Sequence, residues 1–345
     1  VAAADVHGAA AAVAGDRRFR KADDMNMTKR SGTRRTLNRW GLLLACVSMI
    51  GITASPNGVA AQSVQQRTFP SPEDAAKTLI DVVKKANVDE LLKIFGQDGK
   101  DLLASSDPAT ARMNQQVFVV AAAEQWRLTD DGKGGKTLVI GNEDWPFPVP
   151  IVKAASGWRF DTAAGKEEII DRRIGRNELA AMDSVRAYVT AQHRYAEQGH
   201  DGVPAGTYAT KFRSDPGKQN GLYWPAERGQ KRSPLGDLVA QAEDDGRRIA
   251  ADKTGLSPFR GYYFKILGAQ GGAASGGAKS YLVKGQMSGG FALVAWPAEY
   301  DVTGVMTFIV NQDGIIREKD LGAETDALAR KMAIYNPDAS WRVVQ

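Results

Sequence analysis

Arg172, Arg173 and Arg176 form the densest group of side chains in this sequence with an obvious chemical use. Arg173 and Arg176 are three residues apart, so a helix sets them on one face, where two guanidinium groups can grip a carboxylate or a phosphate. The same groups can instead serve the fold, by ion pairing with Glu168, Asp171, Asp183, Asp144 or Asp161. That structural use is the expected one, and it predicts a large loss of stability when Arg173 and Arg176 are replaced together. Aromatic–proline pairs are the second group. Trp145-Pro146, Trp224-Pro225 (preceded by Tyr223) and Trp296-Pro297 offer flat rings to a sugar or a peptide, or wedges that fasten loops to a core. Arg173, Arg176, Trp145, Tyr223 and Trp224 are the candidate ligand-binding residues.

Nothing in the sequence commits the protein to a reaction. His193 and His200 lack the spacing of a metal-binding pair and the order of a Ser-His-Asp triad. The adjacent acids Glu143-Asp144, Glu167-Glu168 and Asp244-Asp245 have the character of solvated turns and helix ends. The run Gly271 to Gly277 (GGAASGG) has the look of a hairpin tip, without the Lys and following helix of a phosphate loop. No catalytic, cofactor or metal residue is assigned, and the sequence leans away from an enzyme. A non-catalytic binding or assembly module is expected, its partner an envelope protein or polymer. The alternative is a hydrolase acting on envelope polymers, with Asp144 or Glu178 in catalysis. A cleft holding two carboxylates of displaced pKa would favour the hydrolase; an apolar groove or an open sheet edge would favour the module.

The destination is written in the first sixty or so residues. Lys29, Arg30, Arg34, Arg35 and Arg39 precede an apolar run from Gly41 to Ala54, too short to span a bilayer comfortably. Val59-Ala60-Ala61 then supplies the small residues of a cleavage site, which predicts Gln62 as the first residue of the exported form. Residues 1–26 are expected to be an upstream extension, with Met27 or Met25 as the start, and residues 27–61 a signal peptide. Arg34-Arg35 leaves twin-arginine export open beside the general route. The expected location is the periplasm or the exterior, with no membrane span in the exported form. The alternative is a lipoprotein anchored through Cys46, in Leu43-Leu44-Ala45-Cys46. Cys46 is the sole cysteine, so the body beyond it has no thiol for a disulfide, a nucleophile or a zinc site. Of 45 Lys and Arg and 40 Asp and Glu, residues 1–61 hold nine and four, which leaves 36 of each sign beyond. A body of balanced charge removes the electrostatic case for a nucleic-acid partner.

The elements predict an α+β protein. Ser71-Pro72-Glu73-Asp74 and Asn87-Val88-Asp89-Glu90 are helix starts, each with a capping side chain and acids in the first turn. A third helix follows Pro108. Strands are expected at 126–129, 137–140, 147–152 and 158–160, an order of elements that resembles the cone-shaped nuclear-transport-factor-like fold. Lys166 to Glu197 has the periodicity of one long helix, or of two broken near Gly175. Periodicity lapses from Gly199 to Pro234. Strands then recur at 262–267, 280–283, 291–296, 305–310 and 315–318 in a meander, before a last helix over 324–333. The expected organisation is an α+β domain over 62–198, a connection over 199–234 and a β-rich domain over 235–345.

Several segments carry a family resemblance. They are Asp144-Trp145-Pro146-Phe147-Pro148, Gly157-Trp158-Arg159-Phe160-Asp161, Arg172-Arg173-Ile174-Gly175-Arg176-Asn177-Glu178-Leu179 and Gly221-Leu222-Tyr223-Trp224-Pro225. Gly261-Tyr262-Tyr263-Phe264-Lys265-Ile266-Leu267, Gly289-Gly290-Phe291-Ala292-Leu293-Val294-Ala295-Trp296-Pro297 and Tyr335-Asn336-Pro337-Asp338 continue the series. Over Phe69 to Gln345 the sequence resembles the bacterial family known as domain of unknown function 2950. The resemblance implies an exported protein and no particular activity.

Overall fold

The computed structural model describes residues 65–103, 108–226, 232–239 and 258–344. The leader, Cys46 and the Ala61–Gln62 bond lie outside these residues. Contacts divide the chain into two units, ending and beginning at Arg172 and Arg173. The result is the expected α+β class: helices and an antiparallel sheet, a long helix, then a strand-rich part with a C-terminal helix.

In the first unit, α1 (Pro72–Lys84) starts where Ser71 Oγ accepts the Asp74 N–H at 3.0 Å, with Pro72 in the first turn. Helix α2 (Val88–Phe95) starts in the same way, Asn87 Oδ1 accepting the Glu90 N–H at 3.1 Å, and ends at Gly96, whose φ of 73° suits glycine. Helices α3 (Gly99–Leu103) and α4 (Pro108–Glu124) follow. The sheet holds β1 (Trp126–Asp130), β2 (Lys136–Ile140), β3 (Trp145–Pro146), β4 (Ile151–Ala154) and β5 (Gly157–Phe160). They pair antiparallel in the order β1-β2-β4-β5, with β3 also on β2. The core is aromatic. Phe95 meets Phe160 at 5.5 Å, and Phe147 meets Phe118 at 5.8 Å and Trp145 at 6.1 Å. Burying each such ring stabilises the unit by roughly 1.5–3 kcal/mol.

Helix α5 (Thr162–Ala196) is unbroken, because nothing crowds Gly175 and its neighbours keep the helical spacing. Its last two-thirds belong to the second unit. That unit also holds β6 (Tyr262–Leu267), the short pairs β7 (Ala269–Gln270) with β8 (Lys279–Ser280) and β9 (Leu282–Val283) with β10 (Gln286–Met287), then β11 (Ala292–Pro297), β12 (Met306–Asn311), β13 (Arg317–Asp320), α6 (Thr325–Lys331) and β14 (Arg342–Val343). The main sheet runs β14-β13-β12-β11-β6, antiparallel throughout. Every residue of β11 and β12 is buried, so both faces of the sheet are covered. On one face, α6 packs over Tyr263, Lys265 and Trp296, the Trp296 Nε1–H donating to Asp326 at 2.9 Å. On the other lies α5, its Tyr188 hydroxyl donating to the Ala292 carbonyl at 3.2 Å and its ring 5.6 Å from Phe291.

The lapse in periodicity after Gly199 marks irregular structure that is fastened down. Isolated bridges tie His200 to Val203, Tyr208 to Met287 and Arg213 to Tyr223. The buried Gln192 amide closes two bonds of 2.8 Å on the Ala209 backbone, and Leu222 is wholly buried. The sequence placed its connection at 199–234, whereas the compact units meet at Arg172–Arg173, inside a helix whose pattern does not change there.

Candidate functional site

Glu178 is the buried acid that the sequence offered to the hydrolase alternative. Its Oε1 accepts two backbone N–H groups, from Val305 and Met306, each at 2.9 Å. Next to it, Asn177 Nδ2 donates to the Thr303 carbonyl at 2.9 Å. The Asn-Glu pair on α5 thus clamps the turn into β12. Burial raises the Glu178 pKa, with the two N–H bonds opposing and Asp320 reinforcing the rise. The neighbouring Tyr262 hydroxyl, which donates to Met306 O at 2.9 Å, is pushed well above its ordinary range by burial and by Glu178. Gly304 gives this hydroxyl its room, since a Cβ there would collide with it. Asp144, the other proposed acid, is an exposed turn residue paired with Arg127 at 2.9 Å.

The arginines separate. Arg172 is buried, with Nε on Glu168 at 2.9 Å, Nη1 on the Pro146 carbonyl at 2.8 Å and its guanidinium 5.9 Å from the Trp145 ring centre. It serves the fold. Arg173 is exposed and pairs with no carboxylate among the described residues, while Arg176 is half-exposed and engaged with a neighbour. The aromatic candidates separate too. Trp145 is 3% exposed and belongs to the core of the first unit. Tyr223 is half-exposed beneath the exposed Arg213, whose guanidinium lies 5.2 Å from the ring centre. Trp224 is half-exposed against His200 at 5.5 Å, and His200 stacks on Tyr195 at 4.2 Å. His200 is buried, its ring nitrogens facing Tyr195 O at 3.1 Å and Gln219 Oε1 at 3.4 Å, which fastens the loop. Arg213 was not singled out in the sequence, because its pairing with Tyr223 spans a loop with no periodic pattern.

At β6 the second sheet ends in an edge that is partly unpaired among the described residues. The Ala298 N–H donates to Gly261 O, and the same register pairs Tyr263, Lys265 and Leu267 with β11. In an antiparallel ladder the alternate residues then turn their N–H and C=O groups outward. Tyr262 spends its outward pair on Phe259, at 3.0 and 2.7 Å, and Gly268 O accepts from Tyr281 N at 2.9 Å. Between these points the outward groups of Phe264 and Ile266 have no partner among the described residues, and both residues are half-exposed. Among the described residues no helix is long and apolar enough to cross a membrane, and no group of three or more His, Cys, Asp or Glu is placed to hold a metal.

A family model described as "Protein of unknown function (DUF2950)" matches residues 66–344. No curated protein and no solved structure matches the chain.

Proposed function

The chain belongs to the DUF2950 family, and from that premise we propose that it is an exported, non-catalytic binding or assembly module that works in the periplasm or outside the cell. The basic segment, apolar run and small-residue site of residues 27–61 support export. The edge of β6 supports the binding role, since the outward groups of Phe264 and Ile266 have no partner among the described residues. The two named acids support the non-catalytic half. Glu178 is spent on backbone N–H groups, and Asp144 is a solvated ion pair. The test is to incubate the full chain with isolated cell-wall sacculi. No soluble fragments above the buffer control are expected. Fragment release that Glu178→Gln or Asp144→Asn abolishes would replace the module with the hydrolase.

A further inference from the structure

We propose that the outward face of helix α4 pairs with the same face of a second copy of this chain, the two helices running antiparallel about a twofold axis. The proposal goes beyond the binding role given above and stands on a different surface, in the first unit. A surface helix ordinarily turns charged and polar side chains outward and apolar ones inward. Helix α4 is apolar on both sides. Inward, Ala111, Phe118 and Ala122 are buried. Outward, Met113 is 43% exposed and Val120 60%, and Ala123 is exposed as well. Between Arg112 and Glu124 the helix has no charged residue. At the helical period Arg112, Met113, Gln116, Val120, Ala123 and Glu124 fall on one side, and all of them are exposed. Apolar side chains scattered singly over a surface call for no explanation, whereas a face that gathers them marks an interaction site.

The order of residues along this face names the partner. Arg112 and Glu124, Met113 and Ala123, and Gln116 and Val120 stand at equal distances on either side of position 118. A twofold axis at that position sets Arg112 of each copy across from Glu124 of the other, with the apolar side chains between the two charge pairs. A twofold contact requires a self-complementary patch of this kind, and it closes at two copies. Parallel pairing in register would set like charges together. Glu124 is also the last residue of α4, where the negative end of the helix dipole disfavours an acid. In the antiparallel pair it lies toward the N-terminal end of the other helix, where an acid is favoured. Neither Arg112 nor Glu124 has an ion-pair partner among the described residues; Glu124 Oε2 accepts the Asn142 N–H at 3.1 Å. A lipid surface fits this face less well, since helices that lie on membranes flank their apolar side with several Lys and Arg, and Arg112 is the only cation here.

Sedimentation equilibrium on the full chain, 37.1 kDa as a monomer, tests the proposal. One helix on one helix is a small contact, so a weak monomer–dimer equilibrium is expected. Arg112→Glu alone and Glu124→Arg alone each set like charges opposite one another at both ends. Each should weaken the dimer by about tenfold or more. An equimolar mixture of these two variants restores both opposite-charge contacts and should associate as the parent does, which misfolded chains would not do. Val120→Asp should leave a monomer. A parent that stays monomeric at every concentration would overturn the proposal, and so would assemblies larger than two copies. Association that survives Val120→Asp would place the contact elsewhere and overturn it too. So would a mixture that associates no better than either variant alone.

Discussion

Replacing Glu178 by Ala and by Gln separates a structural acid from a catalytic one. Alanine removes the acceptor of two backbone N–H groups, and Met306, which carries one of them, is buried. A buried donor left without a partner costs about 1–3 kcal/mol. Two donors, less the relief of no longer burying a carboxylate, give a loss of about 2–5 kcal/mol. For a unit of this size that lowers the melting temperature by about 5–15 °C. Glutamine keeps an Oε1 in the same place and removes the charge, so Glu178→Gln should melt near the parent at neutral pH or above it. The pH dependence has a definite sign. The folded-state pKa of Glu178 lies above its ordinary value because burial favours the neutral acid. Its contribution is therefore fully present below that value and is lost as pH rises through the folded pKa. Melts of the parent and Glu178→Gln should converge in acid and separate on going to neutral pH, with the parent losing ground. Equal stability of Glu178→Ala and parent would refute the clamp. A Glu178→Gln variant as damaged as Glu178→Ala would show that the charge itself holds the turn.

Arg172→Gln should cost about 1–3 kcal/mol, since it takes the donor from the Pro146 carbonyl beside a buried ring and removes one partner of the half-buried Glu168. Arg173→Gln should change stability by about 0.5 kcal/mol or less, as exposed positions do; parallel thermal melts decide between them, and equal losses would contradict the assignment. Gly304→Ala should destabilise the second unit by about 1–3 kcal/mol through its clash with the Tyr262 hydroxyl. Denaturant titration measures this, and pairing it with Tyr262→Phe should recover part of the loss. N-terminal sequencing of the exported form should begin at Gln62, and a lipid-modified Cys46 at the terminus would move the protein onto a membrane.

Local physics made much of this fold legible in the sequence. The caps at Ser71 and Asn87 depend on residues three apart, and both are where the sequence put them. The long helix was legible from periodicity, and its doubtful point, Gly175, is tolerated because it faces open space. Long-range partners were not legible. Glu178 meets Val305 and Met306 more than a hundred residues away, and no spacing rule connects them. The irregular chain between Gly199 and Ala226 gave no sign of being packed, because isolated bridges such as Arg213 to Tyr223 leave no period behind. Trp145 could have faced a groove or a core, and only the meeting of β3 with the ring cluster of Phe95, Phe118 and Phe147 puts it in the core. The partly unpaired edge of β6 had a partial signal in the β-rich run Tyr262 to Leu267, but its place at the end of the sheet follows from a strand order that no local pattern encodes.

The most direct test of an exported binding or assembly module is photo-crosslinking in intact cells, with a photoreactive phenylalanine analogue in place of Phe264 and, as control, in place of the exposed Asp183. A discrete polypeptide adduct from position 264 and none from position 183, recovered outside the cytoplasm, is the expected result. Adducts confined to the cytoplasm, or no polypeptide adduct that distinguishes position 264 from position 183, would contradict it.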